Sequence, residues 1–435
     1  MSNTNPMGIG LAVLNRIASS PAIDRLGLRR ATERAVYQGA KSGFQAAGTA
    51  NRTFKRVKGS GKPTRQRASG DSGVFDLTPT EDQEMIVGVV QEFADEVLRP
   101  AAAEADEKDL TSKEVLAQTS EFGLTLLNVP EELGGLSEER SAVTGVLVAE
   151  ALAYGDMGQA VACLAPASVA TAISLWGTDE QQQTYLPAFT ADDDIPAAAF
   201  AVAEPRALFD PFALETTATK SGEGYVLDGI KSGVVRGTEA ELFVVAASLD
   251  GESRLFVVES GTQGVSLAED PSMGLRAASL TRLKLDGVTV PASALLGTAD
   301  DFRESVRLSR LAWAGLALGT GKAVLDYTKE YVVGREAFGE PIAYRQSVAF
   351  MVANIAIELE GLRMVTLKAA SRIDQGTDAS REIALARKLA AEYGMKIGTD
   401  GVQLLGGHGF VKEHPVERWY RDLRAIGVME GVVLV

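Results

Sequence analysis

The apolar positions of this chain change their spacing twice along its length. From about residue 78 to residue 176 they recur every three to four residues, which predicts amphipathic helices. Between about 195 and 296, short runs rich in Val, Leu and Phe are separated by Gly, Asp and Ser turns, which predicts strands. The helical period returns from 301 to 426. We therefore expect an α+β multidomain protein, in which an antiparallel β-barrel separates an N-terminal helical domain from a C-terminal domain of the four-helix type.

Local signals place the boundaries of these parts. Thr78 is expected to cap the first helix, and Glu81 three residues later completes a capping box. The clearest strands are predicted over Tyr225–Gly229, Leu242–Ala246, Leu255–Val258 and Arg282–Asp286. In the last helical part, a buried stripe is predicted from Val348, Met351, Val352, Ile355, Leu359 and Leu362. The proposed divisions are 1–73, 74–194, 195–298 and 299–435.

The first seventy residues differ in charge from the rest of the chain. They hold 13 Lys and Arg against 2 Asp and Glu, whereas the remaining residues hold 30 against 56. Residues 1–73 thus form a basic extension that ends in a Gly/Ser-rich linker. Three interpretations stay open: an arm that is solvated or lies across the acidic body, peripheral docking on an anionic membrane, and a mitochondrial transit peptide. Accordingly, we expect a cytoplasmic location with membrane contact through 1–73, or alternatively the mitochondrial matrix.

The composition excludes several classes of function. One cysteine and two histidines make a disulfide framework or a transition-metal site improbable, so no metal is expected. The chain has no run of eighteen apolar residues and no Walker lysine motif. The acidic body also does not suggest nucleic acid as a partner.

Two separated motifs indicate the chemistry. The segment from Gln403 to Gly431 contains a Gln-Leu-Leu-Gly-Gly turn, Pro-Val-Glu-Arg, an Arg-Asp pair and a closing Glu-Gly. Upstream, Arg335 begins an Arg-x-x-Phe-Gly pattern that is followed by Gln346. Two motifs in this order are far more specific than either one alone. Together they resemble the flavin-dependent acyl-CoA dehydrogenases.

This resemblance implies roles for individual residues. Glu430, in the closing Glu-Gly pair, stands where the family carries the base that removes the α-proton of an acyl-CoA. Arg310 stands where the family carries an arginine near the catalytic site, and Ser309 occupies the position of the alternative base of the long-chain and branched-chain members. Contacts with FAD, in part from a neighbouring subunit, are implied for Arg335, Phe338, Gln346, Gln403, Gly406 and Gly407.

The chain departs from the family pattern where the flavin ring is held. Ala203–Asp210 replaces a Thr-Glu-Pro-Gly-x-Gly-Ser-Asp loop, so the hydroxyls and glycines are lost. Gly233–Gly237 replaces Trp-Ile-Thr-Asn-Gly and lacks the aromatic ring. These departures leave two functional classes. One is an FAD-dependent acyl-CoA dehydrogenase, and the other is a non-catalytic or partner subunit of a hetero-oligomeric acyl-CoA dehydrogenase with a degraded flavin site.

The resemblance also implies partners. We expect an acyl-CoA substrate, an acceptor of the electron-transfer flavoprotein type and a homo- or heterotetramer. An acyl-CoA oxidase would use the same base, so the electron acceptor stays open. The length of the acyl chain depends on the depth of the pocket and is not encoded in a motif.

Overall fold

The computed structural model describes residues 78–121, 123–136, 140–191 and 195–433. The predictions made for residues 1–73 lie outside this part of the chain. Within it, the order of helices, strands and helices predicted from the sequence is confirmed.

The N-terminal part is helical. Its helices are α1 (Glu81–Phe93), which continues through a π-helical turn (Ala94–Leu98) into α2 (Arg99–Lys108), then α3 (Lys113–Glu121), α4 (Ala142–Gly155), α5 (Met157–Trp176) and α6 (Asp179–Tyr185). The predicted cap was wrong by two residues. Thr80 caps α1, since its hydroxyl accepts from the Gln83 backbone N–H at 3.2 Å and the Gln83 side chain accepts from the Thr80 N–H. A capping box needs its acceptor three residues after the cap, and Gln83 provides it for Thr80.

Helix α5 forms the floor of the site described below. Among the described residues, it is the one helix long and apolar enough to cross a membrane, and 72% of its apolar window is buried inside the protein. Its apolar faces are therefore covered by the neighbouring helices and the sheet.

The central part is a single mixed sheet. Its strands are β1 (Ala198–Ala201), β2 (Thr217–Ser221), β3 (Gly224–Val235), β4 (Leu242–Leu249), β5 (Glu252–Glu259), β6 (Val265–Glu269), β7 (Leu280–Pro291) and β8 (Leu295–Leu296). The order is β6-β7-β3-β2-β4-β5-β8, with β1 pairing parallel to β4. The predicted strands are confirmed, but the sheet does not close into a barrel: in the described residues no pairing joins β6 to β8, and β8 is only two residues long.

The C-terminal part consists of long helices. They are α7 (Ala299–Gly334), α8 (Gln346–Asp374), α9 (Ser380–Leu405) and α10 (Val416–Ala425), with a short hairpin of β9 (Glu336–Ala337) and β10 (Glu340–Pro341) after α7. Of the predicted stripe on α8, Ile355, Leu359 and Leu362 are buried, and Val348, Met351 and Val352 are partly buried against the same core.

Helix α10 joins the three parts through buried ion pairs. Arg418 donates to Asp156 at 3.0 Å, and Arg421 donates to Asp106 at 2.9 Å. Asp422 accepts from the Leu275 N–H at 2.7 Å. Burial and the neighbouring Asp156 carboxylate raise the pKa of Asp422 to about 7. These contacts fix the direction in which the chain leaves α10, and therefore the position of Glu430.

Candidate active site

The Glu430-Gly431 pair forms a tight turn after α10. Glu430 adopts φ +58°, a left-handed conformation that costs a non-glycine residue about 1–2 kcal/mol. Gly431 follows with φ +87°, and a Cβ atom there would lie 2.6 Å from Pro211 Cδ. Only glycine fits this approach. Steric crowding therefore explains why glycine follows Glu430. The turn directs the Glu430 side chain inward.

The carboxylate of Glu430 faces a cavity. Its Oε2 atom is buried and has no hydrogen-bond partner within the described residues. Glu430 lines a cavity of about 240 Å³ enclosed mainly by one face of α5 and one face of α7, and Ser309 lies on the same wall. In the described part of the chain, the Glu430 N–H donates to no acceptor. A free carboxylate oxygen and a free N–H therefore lie at the same cavity.

Two arginines hold the turn that carries Glu430. Arg310 Nη2 donates to the Glu430 carbonyl oxygen at 3.1 Å. Burial lowers the pKa of Arg310, and the Glu430 carboxylate opposes this shift. The second is Arg387, which no motif in the sequence singled out. It is only 2% exposed and donates to the carbonyl oxygens of Ile426, Met429 and Gly431, the last at 2.7 Å. Burial lowers the pKa of Arg387 to about 10.

A second cavity of about 570 Å³ adjoins the first, and Ala203, Ser232, Gly233 and Met429 line both. One wall is the 203–209 loop, which departs from the family pattern but keeps its glutamate. Glu204 accepts from Lys231 Nζ at 3.0 Å and from the N–H groups of Glu215 and Thr216 at 2.8 Å. Burial lowers the pKa of Lys231 to about 8, and the Glu204 carboxylate opposes this. The buried pair anchors the loop against β3, because either charge alone would be costly there.

One wall of this second cavity carries backbone donors without partners. Gly233 presents no side chain to it, and a Cβ atom there would be 3.7 Å from the Met429 sulfur. Ala207, Leu208 and Phe209 line it, and their N–H groups pair with no acceptor among the described residues. Backbone donors on the loop therefore remain where the polar side chains are absent. Val432 N–H donates to the Phe209 carbonyl at 3.0 Å, which joins this loop to the turn of Glu430.

The predicted cofactor-binding residues form a separate group on the surface. Arg335, Phe338, Gln346, Gln403, Gly406 and Gly407 are all exposed, and none lines either cavity. Tyr331, near the end of α7, is hydrogen-bonded to His408 Nδ1 at 2.8 Å, which brings the two surface motifs together. The structure thus places the Glu430 and Arg310 pair in the interior and the other six predicted residues on the outside of a single chain.

The three parts of the fold match models of known domains in the same order. Residues 80–193 match the N-terminal domain of acyl-CoA dehydrogenases, residues 199–288 the middle domain and residues 300–433 the C-terminal domain. The chain is 32% identical over 362 residues to the short-chain specific acyl-CoA dehydrogenase of rat mitochondria, covering 81% of this chain and 87% of that protein.

Solved structures of similar proteins support the same family. Butyryl-CoA dehydrogenase from Megasphaera elsdenii superposes with a TM-score of 0.77 at 29% identity, over 83% of this chain and 97% of that one. A structure described as PigA with FAD and proline superposes with a TM-score of 0.76 at 25% identity, over 82% and 96% of the two chains. These matches define the class of the protein: it is a flavoprotein oxidoreductase, and its cofactor is FAD. More closely, the chain belongs to the acyl-CoA dehydrogenase family and shares that family's general reaction, the FAD-dependent dehydrogenation of acyl-CoA thioesters.

Proposed function

We propose that Glu430 is the base that removes the α-proton of an acyl-CoA thioester, and that the enzyme produces the α,β-unsaturated product. The supporting observation is the Oε2 atom of Glu430, which is buried without a partner on the wall of an apolar cavity. An unpaired carboxylate oxygen is free to accept a proton from a substrate held in that cavity. Ser309 offers no basic group on the same wall.

The neighbouring groups support this role. An α-proton of a thioester is only weakly acidic, so its removal requires stabilisation of the carbonyl oxygen as negative charge develops. The free N–H of Glu430 is a donor for that oxygen. Arg310 and Arg387 fix the turn through its carbonyl groups, so the base and this donor move as one unit. FAD, when bound, would supply the redox chemistry as the acceptor of a hydride from the β-carbon.

The proposed cofactor contacts come from two places. The cavity beside Met429, with the free N–H groups of the 203–209 loop, suits the flavin ring. The exposed group from Arg335 to Gly407 suits the adenosine and phosphate part of FAD bound by a neighbouring subunit, since a guanidinium binds phosphate oxygens well. We further propose that the electrons pass to an acceptor of the electron-transfer flavoprotein type, as the family resemblance implies.

Substitution of the base tests this proposal. In Glu430→Gln, flavin content and acyl-CoA binding should be retained, because the amide keeps the shape of the side chain. The rate of flavin reduction in a single turnover should fall on the order of 10³-fold, because proton transfer is removed. Glu252→Gln, at an exposed carboxylate at the start of β5, is the matched control and should react at the wild-type rate. An unchanged reduction rate in Glu430→Gln would exclude Glu430 as the base.

The alternative of a non-catalytic partner subunit makes a different prediction. Such a subunit would complete the FAD site of its partner through the Arg335 surface, and its own Glu430 would be dispensable. Stopped-flow reduction of the purified protein, with this chain as the only subunit, separates a catalytic subunit from a non-catalytic one. Only a catalytic subunit would have its flavin reduced by an acyl-CoA.

A further inference from the structure

The cavity in front of Glu430 contains a second charge. Among the described residues that line it, Glu430 is the only acidic residue and Arg140 the only basic one. Most of the remaining wall is apolar, from residues such as Leu164, Leu308 and Trp313. A simple aliphatic acyl chain would need no cation in this position, so the presence of Arg140 requires an explanation.

Arg140 has no partner within residues 78–121, 123–136, 140–191 and 195–433, where no hydrogen bond or ion pair to it is found. Burial lowers the pKa of Arg140, and the carboxylates of Asp374 and Glu304 oppose that shift. Both of those carboxylates are already engaged. Asp374 accepts from Ser141 and from two N–H groups at the start of α4, and Glu304 pairs with Arg307 at 3.3 Å. The guanidinium therefore retains its five donors for a ligand.

Three hydroxyl groups of the cavity are already engaged. The hydroxyls of Ser168, Thr171 and Ser305 donate to carbonyl oxygens of their own helices at 2.6–2.7 Å. Arg140 is the one cationic donor among the described residues of the cavity, so an anionic group on a substrate would be bound there. A carboxylate suits it best, because two oxygens match the fork of a guanidinium.

Arg140 and Glu430 lie on different walls of the cavity. Arg140 directly precedes the start of α4, where Asp374 of α8 is bound, whereas the turn of Glu430 is bound by Arg310 of α7. A cavity of about 240 Å³ holds an acyl chain but not the nucleotide of CoA. The group that reaches Arg140 therefore belongs to the far end of the acyl chain.

We propose that Arg140 binds a carboxylate at the end of the acyl chain, so that the preferred substrates are CoA thioesters of dicarboxylic acids. This inference rests on the proposed function of the cavity as the acyl site, and it adds the substrate class. Arg140 acts as a specificity residue and takes no part in the proton transfer.

Binding to the Glu430→Gln protein tests the proposal without turnover. Calorimetry should show adipoyl-CoA binding more tightly than hexanoyl-CoA, which has the same number of acyl carbons and no terminal carboxylate. Arg140→Met in this background should weaken adipoyl-CoA binding on the order of 10²-fold and leave hexanoyl-CoA binding unchanged or stronger. Arg140→Lys should keep part of the preference, which distinguishes loss of charge from loss of folding. Arg303→Met, at an exposed arginine of α7 paired with Asp300, is the matched control and should have no effect.

Equal binding of the two thioesters, with no response to Arg140→Met, would overturn the inference. Adipoyl-pantetheine, which lacks the nucleotide, identifies the anion: its binding should remain dependent on Arg140, and loss of that dependence would assign Arg140 to a CoA phosphate instead. Activity assays separate the two proposals. If hexanoyl-CoA reduces the flavin and adipoyl-CoA does not, the substrate class is wrong and the proposed function stands. If neither thioester, nor butyryl-CoA, reduces the flavin, the proposed function itself fails.

Discussion

At the scale of single residues, three of the eight described non-glycine residues with positive φ lie at the site. Glu430, Leu208 and Arg236 all have positive φ without being glycine, and each lies on the turn of the base or on a segment that departs from the family pattern. At Leu208 and Arg236 the family pattern has glycine and asparagine, the residues that tolerate this conformation best. The backbone shape is thus kept although the favourable residue has been replaced.

Leu208→Gly should therefore stabilise the protein. Leu208 has φ +55° and an 81% exposed side chain, so the substitution relieves strain and removes little packing. We expect the free energy of unfolding to rise by up to about 1 kcal/mol. Leu175→Gly, at a partly exposed leucine of α5, is the comparison variant. It should lower the free energy of unfolding by about 1 kcal/mol. Urea denaturation measures both, and destabilisation by Leu208→Gly would show that the side chain has a packing role.

At the scale of elements, the connection between α9 and the turn after α10 determines how firmly the base is held. Arg387→Met leaves three buried carbonyl oxygens without donors, at a cost of about 1–3 kcal/mol for each unpaired group. The rate constant for flavin reduction should fall more than the affinity for acyl-CoA, since the turn loses its fixed position. Arg387→Lys should retain only part of the wild-type rate constant, because an ammonium group cannot match the fork of a guanidinium.

The control for this prediction is the adjacent residue. Lys388 is exposed on the same helix, and Lys388→Met should change neither rate nor affinity. A variant Arg387→Met that loses stability but reduces its flavin at the wild-type rate would show that Arg387 supports the fold and not the position of the base.

Elements were easier to predict from the sequence than their tertiary contacts. The 3.6-residue and two-residue periods identified the helices and strands, because burial of one face dictates both patterns. The prediction that the sheet closes into a barrel was wrong. Closure depends on whether edge strands such as β8 pair, and no local pattern in the sequence encodes that pairing. Two functional arginines could not be recognised in the sequence for a similar reason. Arg387 stands between Ala386 and a lysine, and Arg140 ends a Glu-Glu-Arg run. Both therefore look like surface residues in the sequence.

At the scale of the whole molecule, the exposed group around Arg335 predicts an oligomer. Phe338 is 94% exposed and Phe410 is 79% exposed, and exposed aromatic residues beside a cationic group mark an interaction surface. We propose a homo- or heterotetramer in which this surface completes the FAD site of a neighbouring subunit. Light scattering of the purified protein should give a mass well above the 45.9 kDa of one chain.

Arg335→Gln tests the shared site. The variant should keep the oligomer and lose FAD on gel filtration, because one charge-assisted contact with phosphate is removed. Arg381→Gln, at an exposed arginine on α9, is the matched control and should retain its FAD. Full retention of FAD by Arg335→Gln would place the phosphates elsewhere.

We propose that this chain itself dehydrogenates an acyl-CoA, with Glu430 as the base and FAD as the oxidant. The most direct test is the visible absorption of the FAD-loaded protein under anaerobic conditions, recorded before and after addition of an acyl-CoA thioester. We predict that the flavin band bleaches in the wild-type protein and persists over the same time in Glu430→Gln. A wild-type protein that binds FAD and whose band is not bleached by monocarboxylic or dicarboxylic acyl-CoA thioesters would contradict the account.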